Sequence, residues 1–199
     1  ESVKNLKVDD IVYMMPLHEY PSEELYALLK SNKTDILKWT TWQNCPESIS
    51  VTRELIRNFE SQKLKGGSLT MGVWISKVLA GLITVYSTDW KNSSAYLGYW
   101  VSPNHRGRGV ATRSCNGLIS KLFNMDILEK VFIKCEQDNY PSQRVANKLH
   151  FINYECIQIN RKGCDKSDGY VTYVKFKIDE TETVANQKQM MLIDGRCLT

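Results

Sequence analysis

Between Val101 and Thr112 the chain reads Val-Ser-Pro-Asn-His-Arg-Gly-Arg-Gly-Val-Ala-Thr, two arginines interleaved with two glycines. Residues of these types bind anions: guanidinium groups bring charge, and glycines let the backbone approach a ligand closely. The flanks decide how the backbone N–H groups are used. Tyr96 to Val101 is apolar and reads as a buried strand, Pro103 stops it, and Ala111, Cys115, Leu118, Ile119 and Leu122 recur at helical spacing up to Phe123. Gly107 and Gly109 therefore stand at a helix entrance. There the first N–H groups have no partner inside the helix, and the positive end of the helix dipole favours negative charge. Two familiar phosphate loops are excluded by spacing, since the stretch has neither a Gly-Lys-Ser/Thr ending nor a three-glycine dinucleotide fingerprint.

The elements that must position this loop follow from the hydrophobic pattern. Asp10 to Leu17 reads as a first strand, and Pro21-Ser22-Glu23-Glu24 starts a helix to Lys30 with Ser22 as its cap. Ile36 to Trp42 is an aromatic segment whose Trp39 and Trp42 read as core packing first and as the lining of an acceptor pocket second. Ser48 or Ser50 opens a second helix through Leu55, Ile56 and Phe59, ended by Gly66-Gly67. The period then changes. Leu69 to Ile75, Val78 to Tyr86 and Ser94 to Val101 form an antiparallel meander whose first turn is Ser76-Lys77. It leads into the Arg106 loop and its helix, then into the β-branched run Val131 to Cys135, a strand–helix–strand unit of right-handed connection. Ser142 to Leu149 reads as a short helix. Phe151 to Asn160 and Tyr170 to Ile178 form a last strand pair, joined by a polar loop from Arg161 to Gly169 that is long enough to reach over a site.

Bulk properties bound the function. With 199 residues, 42% of them hydrophobic, the chain can bury a core of one ordinary domain. We divide it into an N-terminal extension (1–9), a domain (10–178) and a C-terminal tail (179–199) in which periodicity is lost. The net charge of +4 is mild and dispersed, and the aromatics are not interleaved with basic residues, so no nucleic acid partner is expected. No apolar run reaches membrane-spanning length and the first residues do not resemble a secretory signal, so no membrane partner is expected either; the missing initiator Met is what a trimmed chain would have. Cys45, Cys115, Cys135, Cys156, Cys164 and Cys197 are scattered without metal-ligand spacing; we expect no metal, reduced thiols and a cytoplasmic protein.

Arg106-x-x-Gly109-x-Ala111 resembles the Arg/Gln-x-x-Gly-x-Gly/Ala signature of the GNAT acyltransferase superfamily. Gly98-Tyr99-Trp100 before it, and Asn139-x-x-Ser142 and Leu149-x-Phe151 after it, narrow the resemblance to the ribosomal-protein N-terminal acetyltransferase branch, over about Asp10 to Ile178. The resemblance implies an α/β fold with a mixed, mostly antiparallel seven-stranded sheet, splayed in the middle and flanked by helices. It implies acetyl-CoA as co-substrate and an amine acceptor, with a protein N-terminus first and a small amine such as a polyamine, amino acid or aminoglycoside second. A coenzyme-binding module without catalysis is the rival from another class, and the protein is expected to be a monomer or homodimer.

The resemblance also implies site residues. Backbone N–H groups of Gly107, Arg108, Gly109, Val110, Ala111 and Thr112 would take the pyrophosphate, with Arg106 or Arg108 adding charge. A backbone N–H at Trp100 or Val101 would stabilise the oxyanion. Asn139 would bond the pantetheine arm, and Ser142 would donate a proton to the departing sulfur; the plain alternatives are a turn or cap for Asn139 and a helix cap for Ser142. Cys135 matches a cysteine of the branch and reads as packing. The glutamate that the branch carries after its Leu-x-Phe element has no match in Gln158 to Arg161. Glu136, Glu155, Asp168, Tyr99, Tyr173 or water remain as ways to take the amine proton.

Overall fold

A computed structural model describes residues 5–17, 21–40, 44–154 and 169–178. The expectations for Trp42, Glu155, Asp168, Cys156, Cys164, Cys197, most of the Arg161 loop and the tail from Asp179 lie outside the described residues. Within them the chain runs β1 (Leu6–Lys7), β2 (Val12–Pro16), α1 (Ser22–Ser31), α2 (Lys33–Trp39), α3 (Ile49–Leu64), β3 (Leu69–Ile75), β4 (Val78–Asp89), β5 (Ser94–Val101), α4 (Val110–Asn124), β6 (Lys130–Glu136), α5 (Tyr140–Lys148), β7 (Ile152–Asn153) and β8 (Tyr170–Phe176).

The strands form one sheet in the order β1-β2-β3-β4-β5-β6-β8-β7, antiparallel at every step except β5 against β6. It is the expected open, mostly antiparallel sheet with flanking helices. The described residues hold eight strands rather than seven, because the segment before Val12 also pairs. Asp9 Oδ1 accepts from the backbone N–H of Ile11 (2.8 Å) and Val12 (2.7 Å), turning the chain so that Leu6 lies opposite Met14 and Lys7 opposite Tyr13. Arg113 of α4 donates to Asp9 Oδ2 at 2.6 Å, which fastens the turn to the helix behind the sheet. A two-residue strand carries no periodicity, so the sequence pattern could not announce it.

Three local expectations are corrected. Pro21, not Ser22, caps α1; the Ser22 hydroxyl instead accepts from Arg53 Nε of α3 at 3.1 Å, while Arg53 also bonds Glu23. Ile36 to Trp39 belongs to a helix, α2. Asn139, not Ser142, caps α5: its side chain accepts from the Ser142 N–H at 3.2 Å. At α3 the expected Ser48 cap is present, accepting from Val51 N–H at 3.3 Å.

The sheet divides two cores. Met71, Val73, Ile83, Val85 and Leu97 pack with Cys115, Leu118, Ile119 and Leu122 of α4. On the other side Trp74, Leu82 and Trp100 pack with Leu25, Leu29, Ile36 and Ile56 of α1, α2 and α3. No helix among the described residues is long and apolar enough to cross a membrane.

The parallel pairing of β5 with β6 is short: Ser94 faces Lys130, Ala95 faces Val131, Tyr96 faces Phe132, and there it ends. Each strand keeps its outer neighbour for longer. β5 stays on β4 as far as Val101 opposite Gly81, and β6 stays on β8 through Glu136 opposite Tyr170. The two halves of the sheet therefore diverge, and a wedge opens between Leu97–Val101 and Ile133–Glu136.

Gly81 holds one side of that wedge: a Cβ there would lie 2.2 Å from the Trp100 carbonyl oxygen, in backbone that cannot yield. Gly81→Ala is expected to destabilise by about 3 kcal/mol, lowering the melting temperature by roughly 6–12 °C for a chain of this size. Gly67→Ala, whose Cβ would meet only the Gln62 carbonyl at 3.6 Å, is the control and should melt near the parent temperature.

Candidate active site

Gly109 is the residue before α4, held at φ 71°, and Gly107 shares the left-handed region at φ 75°. A Cβ at Gly107 would meet nothing within 4 Å, and one at Gly109 only Arg113 Nε at 4.0 Å. The loop thus turns sharply and leaves its inner side clear for a ligand, while α4 begins with unpartnered N–H groups. A groove of about 330 Å³ runs between this loop and α5. Of the eleven residues the sequence assigns to coenzyme, ten line it: Trp100, Val101, Arg106, Gly107, Gly109, Val110, Ala111, Thr112, Asn139 and Ser142. Arg108 does not; it is exposed, and its carbonyl accepts from Arg113 Nη2 at 3.2 Å.

Arg106 lines the groove with its guanidinium already engaged. Its Nε donates to the Val101 carbonyl at 2.8 Å, Nη1 donates to Asp35 Oδ1 at 3.0 Å, and Nη2 makes a second contact with Asp35 Oδ2. Two cations that the sequence reading passed over, Arg144 and Lys148, face the groove from α5. The signal for them was present: Pro141, Arg144, Val145 and Lys148 recur at helical spacing and all four line the groove.

On the α1–α3 side of the sheet lies a larger cavity of about 480 Å³. Trp39, Phe59 and Tyr86 give it aromatic wall, and Thr70, Thr84, Gln62 and Ser68 give it hydroxyl and amide groups, bonded in pairs at 3.1 and 2.8 Å. Glu136 is the one carboxylate among the described residues that line it. Trp39, expected as core packing, is partly buried and lines both spaces.

Groove and cavity meet at Trp39, Tyr99, Trp100, Asn139 and Ser142. Across the wedge, the Tyr99 hydroxyl lies 2.8 Å from Ser142 Oγ and donates to the Ser142 carbonyl at 3.2 Å. Burial pushes the Tyr99 phenol well above its ordinary pKa, against the opposing hydrogen bond with Ser142. At neutral pH the phenol is therefore protonated and can donate a hydrogen bond, as it does to the Ser142 carbonyl. Tyr173 is buried in the core against β6 and lines neither space. Cys135 sits on the cavity wall near Ser142, its thiol pushed up by burial, consistent with packing. Cys45, Cys115 and Cys135 are free thiols, and among the described residues no cluster of His, Cys, Asp and Glu could hold a metal ion.

A splayed sheet, a left-handed glycine turn at a helix entrance and a serine at the junction of two spaces agree with what comparison gives. The family of the acetyltransferase (GNAT) domain matches residues 12–152. The chain belongs to the GNAT acetyltransferase family. It is similar to a protein of Escherichia coli named ribosomal-protein-serine acetyltransferase, 25% identical over 155 residues that cover 78% of this chain and 87% of the relative. Among solved structures it resembles the Microcin C7 self immunity acetyltransferase MccE in complex with acetyl-CoA and AMP, at 26% identity and a TM-score of 0.73, covering 85% of this chain and 94% of that one. RimL, a ribosomal alpha-N-protein acetyltransferase in complex with coenzyme A, shares the fold at 21% identity and a TM-score of 0.75, covering 87% and 97%. As a GNAT member the chain is an acetyl-CoA-dependent acetyltransferase, not a binding module alone.

The state of Tyr99 can be read directly. In an ultraviolet titration of the native protein, Tyr99→Phe is expected to leave the absorbance change up to about pH 10.5 the same as in the parent, since phenols ordinarily ionise near 10. A loss of one tyrosine's amplitude would mean that Tyr99 ionises normally.

Proposed function

We propose that the protein transfers an acetyl group from acetyl-CoA to the free amine of a protein N-terminus, by direct attack and without a covalent enzyme intermediate. The observation that carries this reading is the meeting of a phosphate-type groove with a hydroxyl-rich cavity, whose charged lining is Lys134 and Glu136, at Tyr99 and Ser142. In this reading the pyrophosphate lies against the N–H groups from Gly107 to Thr112, and Arg144 and Lys148 supply the charge that Arg106 spends on Asp35. The pantetheine arm runs in the wedge, where β5 and β6 no longer pair with each other and their backbones can bond it as they would an added strand. Asn139, although it caps α5, faces the same space.

The acceptor amine enters from the cavity and attacks the thioester carbon, and negative charge builds on the carbonyl oxygen. A backbone N–H at Trp100 or Val101 is the donor in reach of that oxygen in this arrangement. As the C–S bond breaks, Ser142 gives its proton to the sulfur, Tyr99 hydrogen-bonds the oxygen left behind, and a proton from solvent restores the serine hydroxyl. The amine's proton leaves toward Glu136 through water.

The choice of acceptor rests on the cavity wall. A polyamine or aminoglycoside would bring several positive charges to a space lined by one carboxylate among the described residues, whereas the first residues of an extended peptide bring one amine and several amides to hydroxyls, amides and rings. The name of the Escherichia coli relative, a ribosomal-protein-serine acetyltransferase, supports the same class.

Release of free thiol from acetyl-CoA, followed over a panel of Ser-initiated peptides, their N-terminally blocked forms, spermidine and an aminoglycoside, tests the reading. Unblocked peptides are expected to be turned over and blocked ones not; faster turnover of spermidine than of any peptide would overturn the acceptor class. Ser142→Ala should lower kcat about 10²- to 10³-fold at nearly unchanged acetyl-CoA KM, and parent-like kcat would remove the acid role. Replacing Arg144 and Lys148 together by Ala should raise the acetyl-CoA KM by about tenfold or more, with Arg108→Ala within twofold of the parent.

A further inference from the structure

α2 is a helix of seven residues whose leading residue, Asn32, offers it no side-chain cap. Its residues Ile36 and Trp39 nonetheless form part of the cavity wall, and Trp39 reaches the groove as well. What ties this short helix to the rest of the site is Asp35 in its first turn. The Asp35 carboxylate accepts from Trp100 Nε1 at 2.7 Å and from both terminal nitrogens of Arg106, residues 65 and 71 positions further along the chain. Trp100 is the last residue but one of β5 at the wedge, and Arg106 begins the glycine turn. Arg106 Nε holds the Val101 carbonyl in addition, so one guanidinium joins the end of β5, the turn and α2. The carboxylate is about one quarter exposed and the guanidinium about two fifths. Burial works against its charge, yet the hydrogen bonds from Arg106 and Trp100 and the charge of Arg106 outweigh it and hold Asp35 below the ordinary carboxylate range. A planar, doubly bonded carboxylate–guanidinium pair is the geometry that fixes orientation as well as distance.

We propose that Asp35 is a positioning residue that locks α2 to the phosphate turn, so that coenzyme ordering the turn also orders the acceptor wall carried by Ile36 and Trp39. The proposal rests on the reading of the groove as the place of the coenzyme. Its physical basis is linkage: a ligand that restrains Arg106 and its turn restrains whatever is bonded to Arg106, and a second ligand meeting an already ordered wall binds with less loss of conformational freedom. Asp35 does not touch the reacting atoms in this scheme. It makes the acceptor side sensitive to whether the donor side is filled, and by linkage the donor side equally sensitive to the acceptor.

Amide hydrogen exchange with coenzyme A as the probe tests this without an acceptor. In the parent protein, coenzyme A is expected to slow exchange both at 107–112 and at 33–39, the latter by about tenfold, within the usual range of coupling between sites. In Asp35→Ala, coenzyme A should still slow exchange at 107–112, while the change at 33–39 falls below twofold. Asp35→Asn, which keeps the volume and an acceptor for Trp100 but removes the charge, serves if the alanine variant does not fold, and its change at 33–39 should be smaller than the parent's by threefold or more. Asp35→Glu, which keeps the charge, should recover part of the parent response. Protection of the turn with no change at 33–39 in the parent, or an equal change at 33–39 in parent and both charge-removing variants, would overturn the proposal. Absence of protection at the turn in the parent would instead overturn the placement of the coenzyme itself. Loss of stability alone would shift the baseline exchange of α2 without altering its response to coenzyme A, so the readout separates positioning from support.

Discussion

Parallel pairing between β5 and β6 lasts for three residues, and everything else about the site depends on its ending there. A sheet strand carries hydrogen-bonding groups on both edges, and buried ones must be satisfied. β5 is held to β4 up to Val101 and β6 to β8 up to Glu136, so neither strand can bend toward the other without breaking its outer ladder. Stacking of Tyr96 on Phe132, 5.2 Å between ring centroids, marks the last joined step. Beyond it the two strands no longer pair with each other and a slot opens between them. The contact of Tyr99 with Ser142 spans that slot.

The charges around the slot are distributed by prior commitments. Arg113 belongs to Asp9 and holds the first turn of the chain against α4; Arg106 belongs to Asp35; Arg53 belongs to Ser22 and Glu23 and binds α3 to α1. Arginines that a pattern reader would assign to an anionic ligand thus serve the architecture, and the groove receives its positive charge from a helix on the far wall, through Arg144 and Lys148. In the cavity, hydroxyl and amide groups are bonded to one another, and its charged lining is one lysine, Lys134, and one carboxylate, Glu136. Groove and cavity are therefore distinguished by their electrostatics as well as by the elements that line them.

How much of this was legible beforehand depended on the range of the interactions involved. The meander, the helix after Gly109, the strand from Val131 and the last strand pair follow from periodicity and turn chemistry, which act over a few residues. Their bounds agree with the observed ones to within a residue at β3, β5 and α4, while β4 runs three residues further, to Asp89. α2 and β1 escaped because each is short: seven residues with an aromatic bias in one case, two residues in the other. Ser22 and Ser142 were plausible caps on local grounds, yet Arg53 of α3 and Tyr99 of β5, distant in sequence, compete for their hydroxyls.

By itself, the sequence made the glycine turn legible: Gly107 and Gly109 suit left-handed backbone at a helix entrance, and the spacing from Arg106 to Ala111, read with Gly98 to Trp100 and Asn139 to Ser142, points to the family, because these are properties of contiguous segments. The site's other half is a property of the fold. That Trp39 lines the cavity, that Asp35 occupies Arg106, that Arg144 and Lys148 face the turn, and that Tyr99 stays protonated beside Ser142 were decided by which elements the diverging sheet brings together. Local preferences fix what a segment can become; only packing across the sheet fixes which side chains share a space and which charges are already taken.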